Sequence, residues 1–218
     1  MARNKYPEET IQKILDVSMK LFLEKGYQHT SIQDIVESLG GLSKGAIYHH
    51  FKSKEEILVA VMDRLYEVHD NEWIELRADN SSFTGRERLK RMFEASLYSN
   101  RLNEVFQMAP DFMKNPQMLV LQLKSIYEVT VPEFILPIIE DGVKDGSIVT
   151  DYPKEMAEVI LLLLNIWVTP MVYDDELEVL KRRIRYFQVM LGQLGLDIID
   201  ERMVERYDEF CRIYKMCK

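Results

Sequence analysis

From Thr30 to Glu56 the chain reads as a short helix, a glycine reversal, a second short helix and the opening of a third. Ile32, Ile35, Val36 and Leu39 recur at i, i+3, i+4 and i+7, one face of a helix. Thr30 is a candidate cap for that helix, with Gln33 three residues on completing a capping box. Gly40-Gly41 ends it, because glycine enters the left-handed backbone that a tight reversal needs. Ser43 can cap the next helix, which turns Ile47 and Phe51 inward and leaves Lys44, Ala46, Tyr48 and His49 facing out. Ser53 and Glu56 form a second capping-box pair and open the helix that follows. This is the layout of a helix-turn-helix, a motif whose second helix enters the major groove of DNA.

The outward chemistry suits an anion. Between Ser43 and Lys54 there is no acidic side chain, while Lys44, His49, His50, Lys52 and Lys54 offer positive or protonatable groups. Tyr48 presents a phenol suited to a phosphate oxygen, and the lysines act as point charges. The backbone N–H groups at the helix starts near Thr30, Ser43 and Ser53 favour phosphates as well. The competing reading is a solvated turn whose lysines are exposed because lysines usually are. A net charge of -8 argues against a nucleic-acid binder if taken whole. The charge is uneven, however: residues 1–55 carry 8 basic and 7 acidic side chains, and the remainder 20 and 29. The acidity belongs to the C-terminal part, where it aids solubility and keeps DNA off the wrong face.

Other chemistries find little footing. His29, His49, His50 and His69 do not stand with carboxylates at metal-ligand spacing, and no serine or cysteine is set with a histidine as a nucleophile pair. Cys211 and Cys217 lie six apart, which is neither a CxxC nor a metal spacing, and they read as reduced thiols. The expectation is a protein without catalytic residues, metal or cofactor. The start of the chain is charged helix rather than a signal peptide, and the most apolar stretch, Val159 to Val168, is too short to span a bilayer. A cytoplasmic protein with no membrane contact is expected.

Past residue 55 the sequence keeps a helical period with no alternating strand pattern, so the fold class is all-α. A helix from Ser53 is expected to run to about Leu76, with Asp79-Asn80-Ser81-Ser82 breaking it. Further helices fit near 84–100, 102–113, 117–144, 153–172, 175–195 and 198–216. Pro116 suits a first turn, whereas Pro132 and Pro137 would kink the long segment that Gly142 and Gly146 bring to an end. The segment 153–172 is apolar nearly all round and must be covered on every side, by its own domain or by a partner subunit. Two domains are expected, 1–55 and 56–218.

The run Ser43-Lys44-Gly45-Ala46-Ile47-Tyr48-His49-His50-Phe51-Lys52-Ser53-Lys54-Glu55-Glu56 closely resembles the signature of the tetracycline-repressor-like (TetR/AcrR) transcriptional regulators. Ile14, Leu15, Ser18, Leu21, Phe22, Glu24-Lys25-Gly26-Tyr27 and Thr30-Ser31-Ile32 match as well, so the resemblance covers roughly residues 8–60. One departure is visible: the turn Gly40-Gly41-Leu42 is one residue longer than the family's usual Ala-Gly-Val. The resemblance implies an N-terminal three-helix DNA-binding domain and a C-terminal helical domain for ligand binding and dimerisation. It places Thr30, Tyr48, His50 and Lys54 where relatives grip phosphates, and Lys44, Gly45, Ala46 and His49 near base edges. Ser31, Ser43 and Lys52 complete the expected DNA-facing set. It also implies a homodimer built through the helices near 153–172 and 175–195, bound to double-stranded DNA at a palindromic operator. The Met- and aromatic-rich middle then encloses a pocket for an unknown small molecule, with Tyr98, Phe106, Gln107, Phe112, Met113, Tyr127 and Asn165 as candidate lining residues. The expected function is a repressor released from DNA by that ligand. The alternative is an all-helical scaffold that binds protein through 153–172, a reading that leaves the acid-free segment 43–54 without a purpose.

Overall fold

The structure, a computed structural model, describes residues 7–64, 74, 83–99 and 102–217. Among these residues it contains helices and no strand. Helix α1 (Pro7–Lys25) has Glu8 and Glu9 in its first turn and Lys25 in its last, the arrangement that complements a helix dipole. Gly26 closes it at φ +80°, a left-handed conformation. Helix α2 (Ile32–Leu39) is capped by Ser31: its Oγ accepts from Asp34 N at 3.1 Å, and Asp34 accepts from Ser31 N at 2.8 Å. The cap therefore stands one residue later than the Thr30–Gln33 pair expected. Thr30 is drawn inward instead, where its hydroxyl donates to Gly26 O at 2.9 Å and Leu21 O at 3.3 Å. Both carbonyls lie around the last turn of α1.

Gly40 ends α2 at φ +60°, and Ser43 caps α3 (Lys44–His50) by accepting from Ala46 N at 3.2 Å. Helix α4 is described over 54–64. Ser53 Oγ accepts from Glu56 N at 3.2 Å, while the Glu56 carboxylate accepts from Lys52 N, one residue ahead of the cap, at 2.6 Å. Apart from residue 74, which is helical, the expected run of this helix toward Leu76 and the break at 79–82 lie outside the described residues.

The body begins with α5 (Gly85–Tyr98) and α6 (Leu102–Met108), which stops at Ala109-Pro110. Helix α7 (Pro116–Ser125) runs on without a break through a π-helical stretch, Ile126–Ile135, into α8 (Leu136–Asp145). Pro132 has no N–H to donate, and the chain widens to π turns in which Leu136 N–H reaches back five residues to Val131 O. Helix α9 (Pro153–Leu162) widens in the same way over Leu163–Trp167 and ends there, short of the residue 172 expected. Helices α10 (Leu177–Gln193) and α11 (Glu201–Met216) complete the chain.

Two hydrophobic cores hold these elements. Ile14, Phe22, Ile35, Ile47, Ile57 and Leu58 fill the first, and Val105, Met108, Phe112 and Met118 from the body enter it. The head therefore includes the first turns of α4 and sits on α6. The second core lies between α5 and α7–α11, around Leu89, Ile138, Leu180 and Phe187. Its tightest contact is α5 on α8, where Gly85 faces Gly142 so closely that a Cβ on Gly85 would lie 2.3 Å from Gly142 Cα. Asp145 accepts from Gly85 N at 2.7 Å, and the buried Arg88 donates to Asp141 at 2.8 Å. That guanidinium holds the Asp141 carboxyl below the usual carboxylate range. Helix α11 clamps the far side, with Arg206 donating to Leu97 O at 3.3 Å and Asn103 Oδ1 at 3.1 Å. No helix among the described residues is long and apolar enough to cross a membrane.

Candidate nucleic-acid interface and ligand cavity

Ile47 and Phe51 anchor α3 in the head core, so the helix can present only its other face. Lys44, Gly45, Tyr48 and His49 are exposed there, Ala46 and His50 are half-buried beside them, and Lys52 is exposed just beyond. Ser43 and Ser31, the caps of α3 and α2, are exposed immediately ahead of their helices. Tyr48 is 45 % exposed, and the Lys44 ammonium lies 5.9 Å from its ring centre. An exposed phenol, an ammonium above it and imidazoles beside it make a surface able to bond phosphate oxygens and base edges.

Two of the expected DNA-facing side chains are placed differently. Thr30 is 1 % exposed, with its hydroxyl spent on the end of α1. Lys54 turns inward: its ammonium donates to Tyr27 O and Thr30 O, both at 2.8 Å, and lies 4.1 Å from the Tyr27 ring centre. Partial burial pushes the Lys54 ammonium below the ordinary lysine range, against the pull of Glu55 and Asp34. Tyr27 donates in turn to Glu55 at 2.9 Å, and burial together with that carboxylate pushes its phenol up. Lys54 thus ties α4 to the α1–α2 turn, behind the surface rather than on it. Lys25 adds a second tie by pairing with Asp34 at 2.8 Å, which keeps the Asp34 carboxyl well below its usual range.

The body encloses a cavity of about 530 Å³. Phe106, Phe112 and Asn165 line it. Tyr98, Met113 and Tyr127 do not: they are 49 %, 66 % and 46 % exposed, and the half-buried Gln107 is also absent from the wall. Tyr127 falls on the outer side of a π stretch whose Ile126, Val129 and Thr130 face in. Met113 belongs to a surface turn held by Asp111, which accepts from Met113 N at 2.9 Å. Apart from Asn165, the cavity's polar groups lie outside the expected set: Ser96, Gln122, Ser125, Thr130, Thr169 and Asp63.

Both π stretches open onto this space. Short polar side chains there bond the main chain: Thr130 donates to Ser125 O at 3.2 Å and Asn165 to Leu161 O at 3.0 Å. Gln122 reaches Asn165 Oδ1 at 3.5 Å, so amides from two helices meet at the wall. For the first stretch, the sequence carries a signal in Pro132, which lies inside a long helical run. Tyr207 also lines the cavity, with its hydroxyl donating to Val168 O. One turn along α11, burial pushes the Cys211 thiol up to about 12, which makes it a poor nucleophile at neutral pH.

Comparison with known proteins agrees with this arrangement. The profile of bacterial regulatory proteins of the tetR family matches residues 14–61, the head. The HTH-type transcriptional repressor KstR2 of Rhodococcus jostii is 32% identical over 155 residues, which span 66% of this chain and 71% of that protein. The HTH-type transcriptional regulator TtgR of Pseudomonas putida is 39% identical over 64 residues, so the match spans only 29% of this chain and 30% of TtgR. A TetR-family transcriptional regulator from Pectobacterium atrosepticum shares the fold, with a TM-score of 0.57 and 21% identity, over 88% of this chain and 97% of that one. Head, body and sequence relatives lead to one assignment: the chain belongs to the tetR family of bacterial regulatory proteins.

Proposed function

We propose that this protein is a homodimeric, sequence-specific DNA-binding transcription regulator, a repressor that leaves a palindromic operator when a small molecule fills the body cavity. The observation that carries this reading is the outward face of α3, where Lys44, Tyr48 and His49 are exposed in a segment without a single acidic side chain. Lys44 suits a guanine, whose O6 and N7 accept; Ala46 suits a thymine methyl; and Gly45 lets the backbone approach closely. Tyr48, His50 and Lys52, with the helix starts at Ser31 and Ser43, suit phosphates. Thr30 and Lys54 shape that surface from behind. Tyr48→Ala is expected to weaken binding to all duplexes about equally, by roughly tenfold, the value of one charge-assisted hydrogen bond. Lys44→Ala is expected to lose about 1–3 kcal/mol of discrimination at one base pair as well. Gel-shift titrations on matched and single-substituted duplexes separate the two, and a Tyr48→Ala protein that binds like wild type would sink the assignment of this face.

One head reads few base pairs, and a two-fold dimer reads two half-sites. On α9 and α10, Val159, Val179, Tyr186 and Val189 are 47 %, 37 %, 63 % and 56 % exposed. Positions 179, 186 and 189 fall on one stripe of α10. An apolar stripe of this kind on a surface helix calls for a partner, and a second copy of the same pair of helices supplies a self-complementary one. The paired change Val159→Glu with Tyr186→Glu is expected to give a folded monomer that binds operator DNA at least tenfold more weakly. Light scattering reads the mass directly, and a variant that stayed dimeric would remove these helices from the interface.

The cavity adjoins the path between body and head. Phe106 lines it, and its neighbour Val105, like Met108 close by on α6, enters the head core. A ligand that fits best when the two heads are splayed from the ~34–36 Å spacing of successive major grooves shifts the population away from DNA. Coupling of this kind is typically ~1–3 kcal/mol.

A further inference from the structure

Two amides from different helices, Gln122 and Asn165, meet on the cavity wall. Asn165 stands in the π stretch Leu163–Trp167, and its Nδ2 donates to Leu161 O at 3.0 Å. That bond fixes which end of the amide is the oxygen, and it leaves Oδ1 as the acceptor of the pair. Gln122, on α7, reaches this Oδ1 with its Nε2 at 3.5 Å. The separation is well beyond the ~2.9–3.0 Å usual for such a bond, so little is lost by opening it. The stretch that carries Asn165 is held at its end: Val168 N donates to Leu163 O at 2.8 Å, and Tyr207 on α11 donates to Val168 O. The wall is also rich in rings, with Phe93, Phe106, Phe112, Phe134 and Phe210 on it.

We propose that the cavity takes an aromatic molecule bearing a hydroxyl group, and that Asn165 and Gln122 are the residues that select for the hydroxyl. The proposal rests on the reading of the cavity as the effector site and names the class of effector. A group that enters between the two amides must donate to Asn165 Oδ1 and accept from Gln122 Nε2. A hydroxyl does both at one atom. An ether or a halogen has no proton to give, so it would part the amides and leave Oδ1 without its donor. A site that bonds a hydroxyl in this way rejects the analogue lacking it more strongly than an apolar wall rejects an added group. Asn165 is anchored to Leu161 O, so the acceptor stands in place before the ligand arrives, and binding need not order it. The ring of the ligand then meets the phenylalanine faces and edges.

The test uses the full chain and two probes of nearly the same shape, 4-phenylphenol and 4-fluorobiphenyl, in which fluorine takes the place of the hydroxyl. Equilibrium dialysis reads the affinity of each. Wild type is expected to bind the phenol roughly tenfold more tightly, the value of one hydrogen bond, although apolar burial alone favours the fluoro compound. Asn165→Leu, which removes the acceptor, is expected to lower phenol affinity about tenfold and to leave fluorobiphenyl binding within about twofold. Gln122→Met keeps the length of the side chain without its amide and is expected to lower the preference about threefold. Thermal melts check that both variants fold as wild type does, and Gln122→Met decides alone if Asn165→Leu does not fold. Equal affinity of wild type for the two probes, a preference that survives the substitutions, or no binding of the phenol would each overturn the proposal. Gel shifts on the same preparations keep the regulator reading separate: a protein that shifts operator DNA but shows no preference for the phenol fails this proposal alone.

Discussion

Gly85→Ala is expected to lower the melting temperature by roughly 6–12 °C, the consequence of about 3 kcal/mol of overpacking in a chain of this size. The cost is large because the new methyl group meets main chain rather than a side chain that can swing away. Its Cβ would stand 2.3 Å from both Gly142 Cα and Gly142 N, and 2.6 Å from Ile138 O. Relief requires moving α5 off α8. That movement would disturb the bonds that dock the start of α5: Asp145 with Gly85 N at 2.7 Å, Ser147 with Arg86 N at 3.1 Å, and the Arg88–Asp141 pair. Met92, Phe93, Ser96 and Leu97 further along α5 line the cavity, so the same change should weaken ligand binding as well. Gly41→Ala is the control, because nothing lies within 4 Å of the place its methyl group would take and its φ is not left-handed. It is expected to change stability by no more than about 0.5 kcal/mol. Melting by differential scanning calorimetry decides the matter, and equal transitions for Gly85→Ala and Gly41→Ala would refute the close α5–α8 contact.

Lys54→Met is the second large effect, expected to cost about 2–4 kcal/mol while leaving the salt dependence of DNA binding unchanged. Methionine keeps most of the apolar stem but removes the ammonium, so Tyr27 O and Thr30 O each lose a charged donor at 2.8 Å. Losing a hydrogen bond from a charged group typically costs ~1.5–3 kcal/mol, and partial exposure lets water replace some of it. The contact with the Tyr27 ring at 4.1 Å goes too. Lys52→Ala should behave in the opposite way. Lys52 is exposed, so its loss should hardly alter the melt but reduce the slope of log affinity against log salt by about one per head. If Lys54→Met instead lowered that slope with an unchanged melt, Lys54 would belong on the DNA-facing surface after all.

The contrast between these two lysines marks how far sequence reading reaches. Lys52 and Lys54 are alike in type and both stand in the acid-free segment, and only the fold separates them. Ile47 and Phe51 point inward as the periodicity requires, which fixes the outward face of α3. Lys54 starts the next helix, and its direction depends on where the α1–α2 turn presents its carbonyls, a tertiary fact. The cap of α2 differs from expectation for the same reason. Thr30–Gln33 and Ser31–Asp34 are both sound capping pairs in sequence, and the carbonyls of Leu21 and Gly26 decide between them by drawing Thr30 inward. In the body, the helices near 84–100 and 198–216 appear as Gly85–Tyr98 and Glu201–Met216 because their apolar spacing is regular and their caps are plain. The π stretches were not legible. A proline inside a helix can kink it or widen it, and the choice is made by what packs against it. That choice propagates to the cavity, since widening a helix re-aims every side chain beyond the wide turn. Within the first stretch, Tyr127 falls outside and Thr130 inside.

Two heads of this chain are expected to read DNA together through α3. This is tested most directly by selecting random duplex DNA on the purified protein at near-physiological salt. A palindrome whose half-site centres lie about one helical turn apart, ~34–36 Å along the duplex, is expected to be enriched, and the enrichment is expected to be lost in Tyr48→Ala. A folded, dimeric protein that enriches no sequence would contradict it.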